Sequence, residues 1–419
     1  MQKTIVALRC LAFAIALAAF SPTQPAFAAT PPADIKPTII LISLDGFRWD
    51  YLDKYKPPAI GSLAKNGVRA KWMIPSFPTK TFPNHYTVVT GLYPQNHGLV
   101  ENNVYDFGTV FSMSRREEVQ NPRWWGGEPI WVTAEKQGQR AASYFWVGSE
   151  APIDEKQPTF WRIYNGRVPN IMRVVKVLGW LDLPAAQRPT MITLYFSNVD
   201  DVGHEFGPDA EETRYSVLEV DEYIARLSAG LKKRGLEDKV NIIITSDHGM
   251  AATYPKQVTF LDDHFSFDLA ERIIWTSEIV QIFPKAGKTD EIYDKIKALK
   301  NTTCWKKGEI PARLNYNDGK RVAPIVCSSA LGWLTSNRAW YDPWLRGLDD
   351  PDRPSGAHGY DNKYQEMQAI FVAHGPAFRK GHVAEPFENI HVYELMCKIL
   401  GIKPAPNDGS LEKVRSMLR

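Results

Sequence analysis

The residues with the clearest potential for chemistry are three carboxylates and three imidazoles spread over most of the chain. An Asp and His set without a thiolate suits Zn²⁺ and related divalent transition metals. Six ligands are too many for one tetrahedral ion and suitable for two, so the sequence predicts a two-metal site. The predicted ligands are Asp45, Asp200, His204, Asp247, His248 and His358.

The spacing within each motif favours ligation. Asp200 and His204 are four residues apart, which brings both side chains to one face of a helix. Asp247 and His248 are adjacent and are followed by a glycine, while His358 lies between glycines in a predicted loop. Each motif alone also has an ordinary structural explanation, as a turn or a packed histidine. The prediction therefore depends on the whole set.

The candidate nucleophile is Thr81, in a stretch that has the pattern of a loop entering a helix. Pro83 is tolerated in a first helical turn, which places Thr81 or Phe82 at the N-cap. Unpaired N–H groups and the positive end of the helix dipole favour a developing alkoxide there. Threonine is also a common capping residue, so the nearby metal ligands supply the reason for a chemical role.

A two-metal site beside a hydroxyl favours in-line displacement at phosphorus. The predicted course is attack by Thr81, release of an alcohol or pyrophosphate, and hydrolysis of the phosphoryl-threonine diester. Asn102, in the sequence Glu101-Asn102-Asn103, is the candidate amide donor to the phosphate. Such a donor contributes about 2 to 4 kcal/mol to transition-state stabilisation if it acts like an oxyanion-hole group.

The predicted fold class is α/β, with a mixed, mostly parallel central sheet flanked by helices. Continuous apolar runs are typical of strands buried on both faces, and helical patterns such as 213–231 lie between them. Ligands gather beyond the carboxyl ends of such strands, where Asp45, Asp200 and the Asp247-His248 pair follow three of the runs. The four runs are 38–44, 191–196, 240–245 and 369–373.

The domain prediction is a signal peptide at residues 1–28 and a single catalytic domain at 29–419. The first segment has two basic residues, an apolar run too short to span a bilayer and a small-residue cleavage site. We therefore expect an exported protein, periplasmic or secreted, without a transmembrane segment. The less regular region at about 255–353 is predicted to be an insertion or cap subdomain.

Net charge indicates which kind of partner to expect, and the cysteines indicate which of them could form a disulfide. The formal net charge of +3 falls to about +1 without the signal peptide, which gives no electrostatic footprint for a stable nucleic-acid complex. A small-molecule substrate is expected instead, and the oligomeric state stays open. In an oxidising compartment Cys304 and Cys327 are a plausible disulfide, and Cys397 is predicted to be a buried hydrophobe.

Five motifs resemble the nucleotide pyrophosphatase/phosphodiesterase family, the type I phosphodiesterases of the alkaline phosphatase superfamily. The resemblance runs from about Lys36 to the C-terminus and, with the signal segment, implies a bacterial secreted member and an alkaline-phosphatase-like fold. The motifs are Ser43-Leu44-Asp45-Gly46-Phe47-Arg48, Lys80-Thr81-Phe82-Pro83-Asn84-His85-Tyr86, Gly203-His204-Glu205-Phe206-Gly207-Pro208, Ser246-Asp247-His248-Gly249-Met250 and His358-Gly359-Tyr360-Asp361-Asn362.

The resemblance also implies roles for individual residues. It makes Thr81 the nucleophile, Asn102 the phosphate-binding amide, and Phe82 and Tyr164 the rings on the two faces of a nucleobase. Stacking tolerates any base, so we expect loose base specificity. The resemblance assigns one zinc ion to Asp45, Thr81, Asp247 and His248 and a second to Asp200, His204 and His358.

Other functions are also compatible with these residues. Gly126 stands where some nucleotide-preferring relatives carry a lysine near the substrate, which weakens the case for a triphosphate preference. A phosphodiesterase for choline-phosphate or lysophospholipid headgroups and a monoesterase are alternatives on the same scaffold. An alternative of another class is a secreted, metal-bearing binding protein without turnover. Thr81 with Asn102, rather than a serine nucleophile with an arginine clamp, favours diesters.

Overall fold

The computed structural model describes residues 35–419, so the predicted signal peptide lies outside the described residues. The strands are β1 Thr38–Leu44, β2 Val68–Ala70, β3 Met73–Ile74, β4 Val104–Asp106, β5 Thr109–Phe111, β6 Ala141–Tyr144, β7 Met191–Phe196, β8 Val240–Thr245, β9 Ala251–Thr253, β10 Val258–Phe260, β11 Ala270–Trp275, β12 Ile279–Pro284, β13 Thr302–Lys306, β14 Ile325–Ser329, β15 Leu334–Ser336, β16 Ser355–Ala357, β17 Phe371–His374, β18 His382–Ala384 and β19 Phe387–Glu388.

Helices lie on both faces of the sheet and between its strands. They are α1 Tyr51–Tyr55, α2 Pro58–Asn66, α3 Thr81–Thr90, α4 Pro94–His97, α5 Arg116–Val119, α6 Ile130–Lys136, α7 Asn170–Leu181, α8 Asn198–Phe206, α9 Glu211–Lys233, α10 Thr289–Ile296, α11 Arg338–Arg346 and α12 His391–Leu400. None of the helices within residues 35–419 is both long and apolar enough to cross a membrane.

The central sheet has seven strands in the order β18-β2-β17-β8-β1-β7-β6. Strands β8, β1, β7 and β6 are parallel neighbours, and β18 is parallel to β2. Strand β17 runs antiparallel to both β8 and β2, which makes the sheet mixed. The predicted α/β class with a mostly parallel central sheet is therefore confirmed.

Strand β1 is buried on both faces of the sheet, as its continuous apolar run predicts, because its side chains contribute to a hydrophobic core on each face. Ile39 and Leu41 belong to one buried cluster, whereas Ile40, Ile42 and Leu44 belong to the other. Helices α7 and α9 cover the second face with buried Val, Ile and Leu side chains. With both faces covered, the carboxyl edge of the parallel strands is where polar side chains can meet.

A second, four-stranded antiparallel sheet has the order β11-β12-β14-β13 and a hydrophobic cluster of its own. Cys304 on β13 pairs in register with Cys327 on β14, and the two form a disulfide. Cys397 is free and buried in α12. The sheet lies within the predicted insertion at 255–353, whose boundaries stay a prediction.

Candidate metal centre and active site

Three of the predicted ligand motifs follow neighbouring strands of the central sheet. Asp45 comes directly after β1, and Asp247 and His248 come two and three residues after β8. Asp200 lies in the first turn of α8, which begins two residues after β7. Because β8, β1 and β7 are adjacent and parallel, their carboxyl ends bring these side chains to one edge.

His358 reaches the same edge from a distant part of the chain. It follows β16, which pairs antiparallel with β9 just beyond the Asp247-His248 motif. The imidazole rings of His358 and His248 stack with centroids 3.4 Å apart. Gly359, at φ +120°, leaves no room for a side chain, since a Cβ there would lie 2.4 Å from Cε of Lys80. Glycine is thus required beside this histidine.

The six predicted ligands form two groups of three, and within each group the ligand atoms lie within 4.8 Å of one another. His248 Nε2 is 2.9 Å from Asp247 Oδ2 and 3.5 Å from Asp45 Oδ1. Asp200 lies 3.5 Å from His204 Nε2 through one oxygen and 3.6 Å from His358 Nε2 through the other. The groups are Asp45, Asp247 and His248, and Asp200, His204 and His358.

The three histidines share one orientation of the imidazole ring. Each Nδ1 faces a backbone carbonyl oxygen: Gly356 for His204 at 2.8 Å, Gly249 for His248 at 2.9 Å and Thr79 for His358 at 2.9 Å. A carbonyl can only accept, so Nδ1 carries the proton, and in the neutral ring Nε2 is left with its lone pair. This is the tautomer and orientation that metal-binding histidines require.

The carboxylates have buried oxygen atoms that lack a hydrogen-bond donor within residues 35–419. They are Oδ1 of Asp45, Oδ1 of Asp200 and Oδ2 of Asp247. Buried charged oxygens without a partner are costly, and a coordinated cation removes that cost. Oxygens aimed at unprotonated Nε2 atoms, without a thiolate, form a donor set that fits divalent zinc-like ions.

Burial sets the direction of the pKa at Asp45, Asp200 and His358, whereas mutual attraction lowers the pKa of Asp247 and raises the pKa of His248. Burial raises the pKa of Asp45 and of Asp200, and the neighbouring charge of Asp247 raises that of Asp45 further. Burial, together with His248, lowers the pKa of His358 and keeps its imidazole neutral. A divalent cation would reverse the effect on the carboxylates, since a nearby positive charge favours their ionised form.

Thr81 begins helix α3, and Lys80 rather than Thr81 or Phe82 occupies the N-cap, so the predicted cap is wrong by one position. The side chain of Lys80 makes no capping bond. The side chain of Asn102 caps the helix instead, because its Oδ1 accepts a hydrogen bond from the Phe82 N–H at 2.8 Å. The Thr81 side chain is not used as a cap, and its Oγ1 lies 3.3 Å from His248 Nε2.

A cavity of about 230 Å³ opens beside Thr81. Phe82 and Tyr164, the two rings predicted to hold a base, both line it. Phe82 packs edge-on against Phe111, and Tyr164, which is 39% exposed, packs edge-on against Phe145. One aromatic-lined cavity therefore contacts Thr81 and both predicted stacking rings.

Tyr195 and His85 contact the predicted ligands, although neither was predicted to take part in the site. The Tyr195 hydroxyl donates a 2.6 Å hydrogen bond to Asp45 Oδ2. His85 is buried, and its Nδ1 lies 2.9 Å from the Thr81 carbonyl and 3.3 Å from Asp247. Its position one helical turn after Thr81 is the sequence signal that could have found it.

Gly126 is closely packed against the backbone of α4. Its N–H donates to the His97 carbonyl at 3.0 Å, and a Cβ would lie 2.8 Å from that oxygen. A larger residue would require the local backbone to shift. The next residue but one towards the N-terminus, Trp124, is fully buried, so this segment forms part of the core.

The mixed, mostly parallel sheet with an Asp/His site at its carboxyl edge defines an α/β protein of the class expected from the sequence. A family model described as Type I phosphodiesterase / nucleotide pyrophosphatase matches residues 39–361. The chain therefore belongs to the type I phosphodiesterase/nucleotide pyrophosphatase family, as its motifs predicted.

Curated relatives show the same similarity over most of this chain. A venom phosphodiesterase of Macrovipera lebetinus is 39% identical over 395 residues, which are 91% of this chain and 45% of that protein. Ectonucleotide pyrophosphatase/phosphodiesterase family member 3 of Rattus norvegicus is 39% identical over 397 residues, 92% of this chain and 44% of the relative. The chain thus spans less than half the length of these relatives.

Solved structures agree with the fold. Murine ectonucleotide pyrophosphatase/phosphodiesterase 5 superimposes with a TM-score of 0.84 at 35% identity, over 91% of this chain and 100% of the other. A second structure of the murine protein, with the same similarity, is an inactive threonine-to-alanine variant in complex with AMP. The alkaline-phosphatase-like architecture is therefore confirmed.

Proposed function

We propose that this chain hydrolyses phosphodiester and pyrophosphate bonds of nucleotides, with zinc as cofactor, through a covalent nucleotidyl-threonine intermediate on Thr81. The observation that carries the proposal is the 3.3 Å separation between Thr81 Oγ1 and His248 Nε2. It puts a hydroxyl at a helix start against one of two Asp/His groups. The names of the relatives, and the murine threonine variant described as inactive, support this assignment.

The proposed zinc sites use the ligands expected from the sequence. Bound there, two cations would lower the pKa of the Thr81 hydroxyl and neutralise charge on the phosphate. Two features support bound cations: the buried carboxylate oxygens have no hydrogen-bond partner within residues 35–419, and the three Nε2 atoms are free of the backbone bonds that Nδ1 makes. One site would consist of Asp45, Thr81, Asp247 and His248, and the other of Asp200, His204 and His358.

The chain's own residues would position the substrate for two successive displacements. Thr81 Oγ1 attacks the phosphorus and the bond to the leaving alcohol or pyrophosphate breaks, which leaves a nucleotidyl ester on Thr81. Water then cleaves this ester and releases a nucleoside monophosphate. With Oδ1 bound to Phe82 N–H, the Asn102 amide is left with its Nδ2 to donate to the phosphate. Phe82 and Tyr164 would stack on the base.

We propose export to the periplasm or the medium on the basis of the signal-like sequence at residues 1–28. The disulfide between Cys304 and Cys327 supports an oxidising compartment. The venom phosphodiesterases among the relatives are compatible with it. A single catalytic domain at 29–419 with an insertion at about 255–353 remains our proposed organisation.

The aromatic lining of the cavity also favours a second candidate, a choline-phosphate or lysophospholipid diesterase. A quaternary ammonium group is attracted to aromatic faces by about 0.5 to 2 kcal/mol per contact. The cavity also contains the carboxylate of Asp201, which would suit a cation, whereas the carboxylate of Glu150 is paired with Arg116, which lines the same cavity. The aromatic side chains that line it are Phe82, Phe145, Trp146, Tyr164 and Tyr195.

A substrate panel separates these candidates. The zinc-loaded protein would be assayed at equal concentrations of ATP, a dinucleotide, a cyclic dinucleotide, glycerophosphocholine and p-nitrophenyl phosphate. We expect the nucleotide diesters and anhydrides to be turned over fastest, with a nucleoside monophosphate as product. A preference for glycerophosphocholine or the monoester would overturn the nucleotide assignment. No turnover of any substrate, with zinc bound, would instead support a binding protein.

A further inference from the structure

A tight turn in the four-stranded sheet contacts both segments that carry the proposed catalytic groups. The turn comprises Thr276, Ser277 and Glu278, between β11 and β12. Ser277 has φ +66°, and the Glu278 N–H donates to the Thr276 carbonyl at 2.8 Å. A serine in the left-handed region carries a conformational cost that surrounding contacts must offset. The contacts that this turn makes with its surroundings therefore stabilise its conformation.

The first contact runs to Lys80, the residue before the proposed nucleophile. Lys80 Nζ pairs with the Glu278 carboxylate, and each side chain is only 7% exposed. The same ammonium group donates to the Thr276 carbonyl at 3.3 Å. The Lys80 stem crosses Gly359, next to the predicted ligand His358. The N-cap of α3 is thus attached to the turn through a buried ion pair.

The second contact runs to the segment that carries Asn102. Thr276 Oγ1 donates to Glu101 Oε1 at 2.9 Å, and the other Glu101 oxygen accepts from the Asn103 N–H at 3.0 Å. Glu101 is fully buried, so these bonds are shielded from water. Between them lies Asn102, whose Oδ1 binds the Phe82 N–H. The contacts form a closed ring from Lys80 through the turn and Asn102 back to α3.

We propose that the turn at residues 276–278 is a positioning element that fixes the Thr81 hydroxyl relative to the Asn102 amide. This inference rests on the proposed function, because it assigns the turn to the same reaction. Neither Thr276 nor Glu278 lines the cavity beside Thr81, so the turn acts through Lys80 and Glu101. Displacing reacting groups by about 1 Å can reduce a rate by about 100-fold. Contacts from one turn to both segments oppose such a displacement.

The test replaces the hydroxyl at the turn and a matched buried hydroxyl far from the turn. Thr276→Val removes the hydroxyl that bonds Glu101 Oε1 and the Ile279 carbonyl, each at 2.9 Å. Thr190→Val is the control, because it removes a buried hydroxyl that bonds Gln139 Oε1 at 2.6 Å at the amino end of β7, away from the carboxyl edge that carries the predicted ligands. We expect Thr276→Val to lower kcat on a nucleotide ester by at least about tenfold with a smaller change in KM. Thr190→Val should keep kcat, and Thr276→Ser should restore it.

Two further measurements test the coupling without relying on the rate alone. In the Asn102→Ala background, Thr276→Val should cause little additional loss, because the Thr276 hydroxyl acts on that amide through Glu101. In the metal-free protein, hydrogen exchange at the start of α3 should become faster in Thr276→Val and Glu278→Gln than in Thr190→Val. Full additivity of the kinetic losses, or equal exchange in all three variants, would overturn the inference.

Failure of the inference can be told apart from failure of the proposed function. If the wild-type protein turns over nucleotide esters while Thr276→Val and Glu278→Gln retain its kcat, the turn has no positioning role. If the wild-type protein lacks diesterase activity, the proposed function fails. Exchange at α3 would still report whether the turn orders that segment.

Discussion

The side-chain oxygen of Asn102 accepts a 2.8 Å hydrogen bond from the backbone N–H of Phe82, in the first turn of helix α3. The bond satisfies one of the helix N–H groups that have no partner within the helix. It also determines which end of the amide is free, because an N–H group can only bond the oxygen. Asn102 therefore combines a helix-capping oxygen with a donor available to a phosphate.

This double role predicts different outcomes for two substitutions of Asn102. Asn102→Asp keeps the oxygen that caps α3 but loses the donor, so thermal stability should be retained while kcat falls by about 100-fold. Asn102→Ala loses both groups and should also cost about 1 kcal/mol of stability. Steady-state kinetics and thermal unfolding of both variants provide the measurement. An Asp variant with near-normal kcat would show that the amide is not a phosphate donor.

Thr81→Ala should abolish turnover of a nucleotide ester, because it removes the hydroxyl that lies beside His248 Nε2. The fold should persist, since Thr81 Oγ1 does not cap the helix. Thr81→Ser is the matched control and should recover measurable activity with a covalent intermediate detectable by rapid quench and mass spectrometry. Appreciable diesterase activity in the alanine variant would mean that another group is the nucleophile.

Removal of metal should affect stability as well as activity. The buried oxygens of Asp45, Asp200 and Asp247 would lose the cation that compensates them, so the chelated protein should unfold at a lower temperature. Zinc at about 100 times its Kd should restore about 2.7 kcal/mol. Calorimetry with and without chelator, followed by zinc addition, measures the effect.

A variant of one predicted zinc ligand and a variant of a nearby non-ligand test which residues bind zinc. His204→Ala should reduce bound zinc from two ions to one per chain in elemental analysis, because it removes a member of the second Asp/His group. Asp201→Asn is the control, since Asp201 belongs to neither group and accepts from the Ser197 hydroxyl at 2.8 Å. Equal loss of zinc in both variants would contradict the ligand assignment.

His97 should make stability depend on pH independently of the metal ligands. Its Nδ1 accepts from the Leu99 N–H at 3.1 Å and its Nε2 lies 3.0 Å from Thr87 Oγ1, which requires a neutral ring. Burial lowers the pKa of His97 to about 3. Because the folded pKa lies below the unfolded value, its contribution is complete above about pH 6.5 and declines as the pH falls towards about 3.

At about pH 5 the expected loss from this residue is about 2 kcal/mol. His97→Gln keeps an acceptor and a donor but does not titrate, so its urea unfolding midpoint should fall less between neutral pH and about pH 5. The metal-free protein should be used for both, so that the other histidines contribute equally. Parallel losses in wild type and variant would assign the pH dependence to other groups.

The sequence predicted the parallel core strands well because their signal is local. Strands β1, β7 and β8 have the expected bounds, and each is buried along its whole length. A continuous apolar run between polar ends suffices for that prediction. Strand β17 begins two residues later than expected and runs antiparallel, and neither property follows from its apolar composition.

The contacts that complete the site depend on residues far apart in the chain. His85 lies against Asp247, 162 residues later, and Lys80 pairs with Glu278, 198 residues later. Such pairs have no periodicity that sequence reasoning could detect. The ligand motifs were found because each combines residue types suited to a metal within a short span. Supporting residues such as Tyr195 have no such pattern and require the fold.

The aromatic cavity predicts a selective effect on substrate affinity. Tyr164→Ala should raise KM for a nucleotide ester by about tenfold or more, because stacking contributes about 1 to 3 kcal/mol per base. Tyr164→Phe keeps the ring and should keep KM, since the ring rather than the hydroxyl would contact the base. Methyl p-nitrophenyl phosphate, which has no base, should show a similar KM with all three proteins. An equal loss on both substrates in Tyr164→Ala would mean that the residue shapes the catalytic edge rather than a base site.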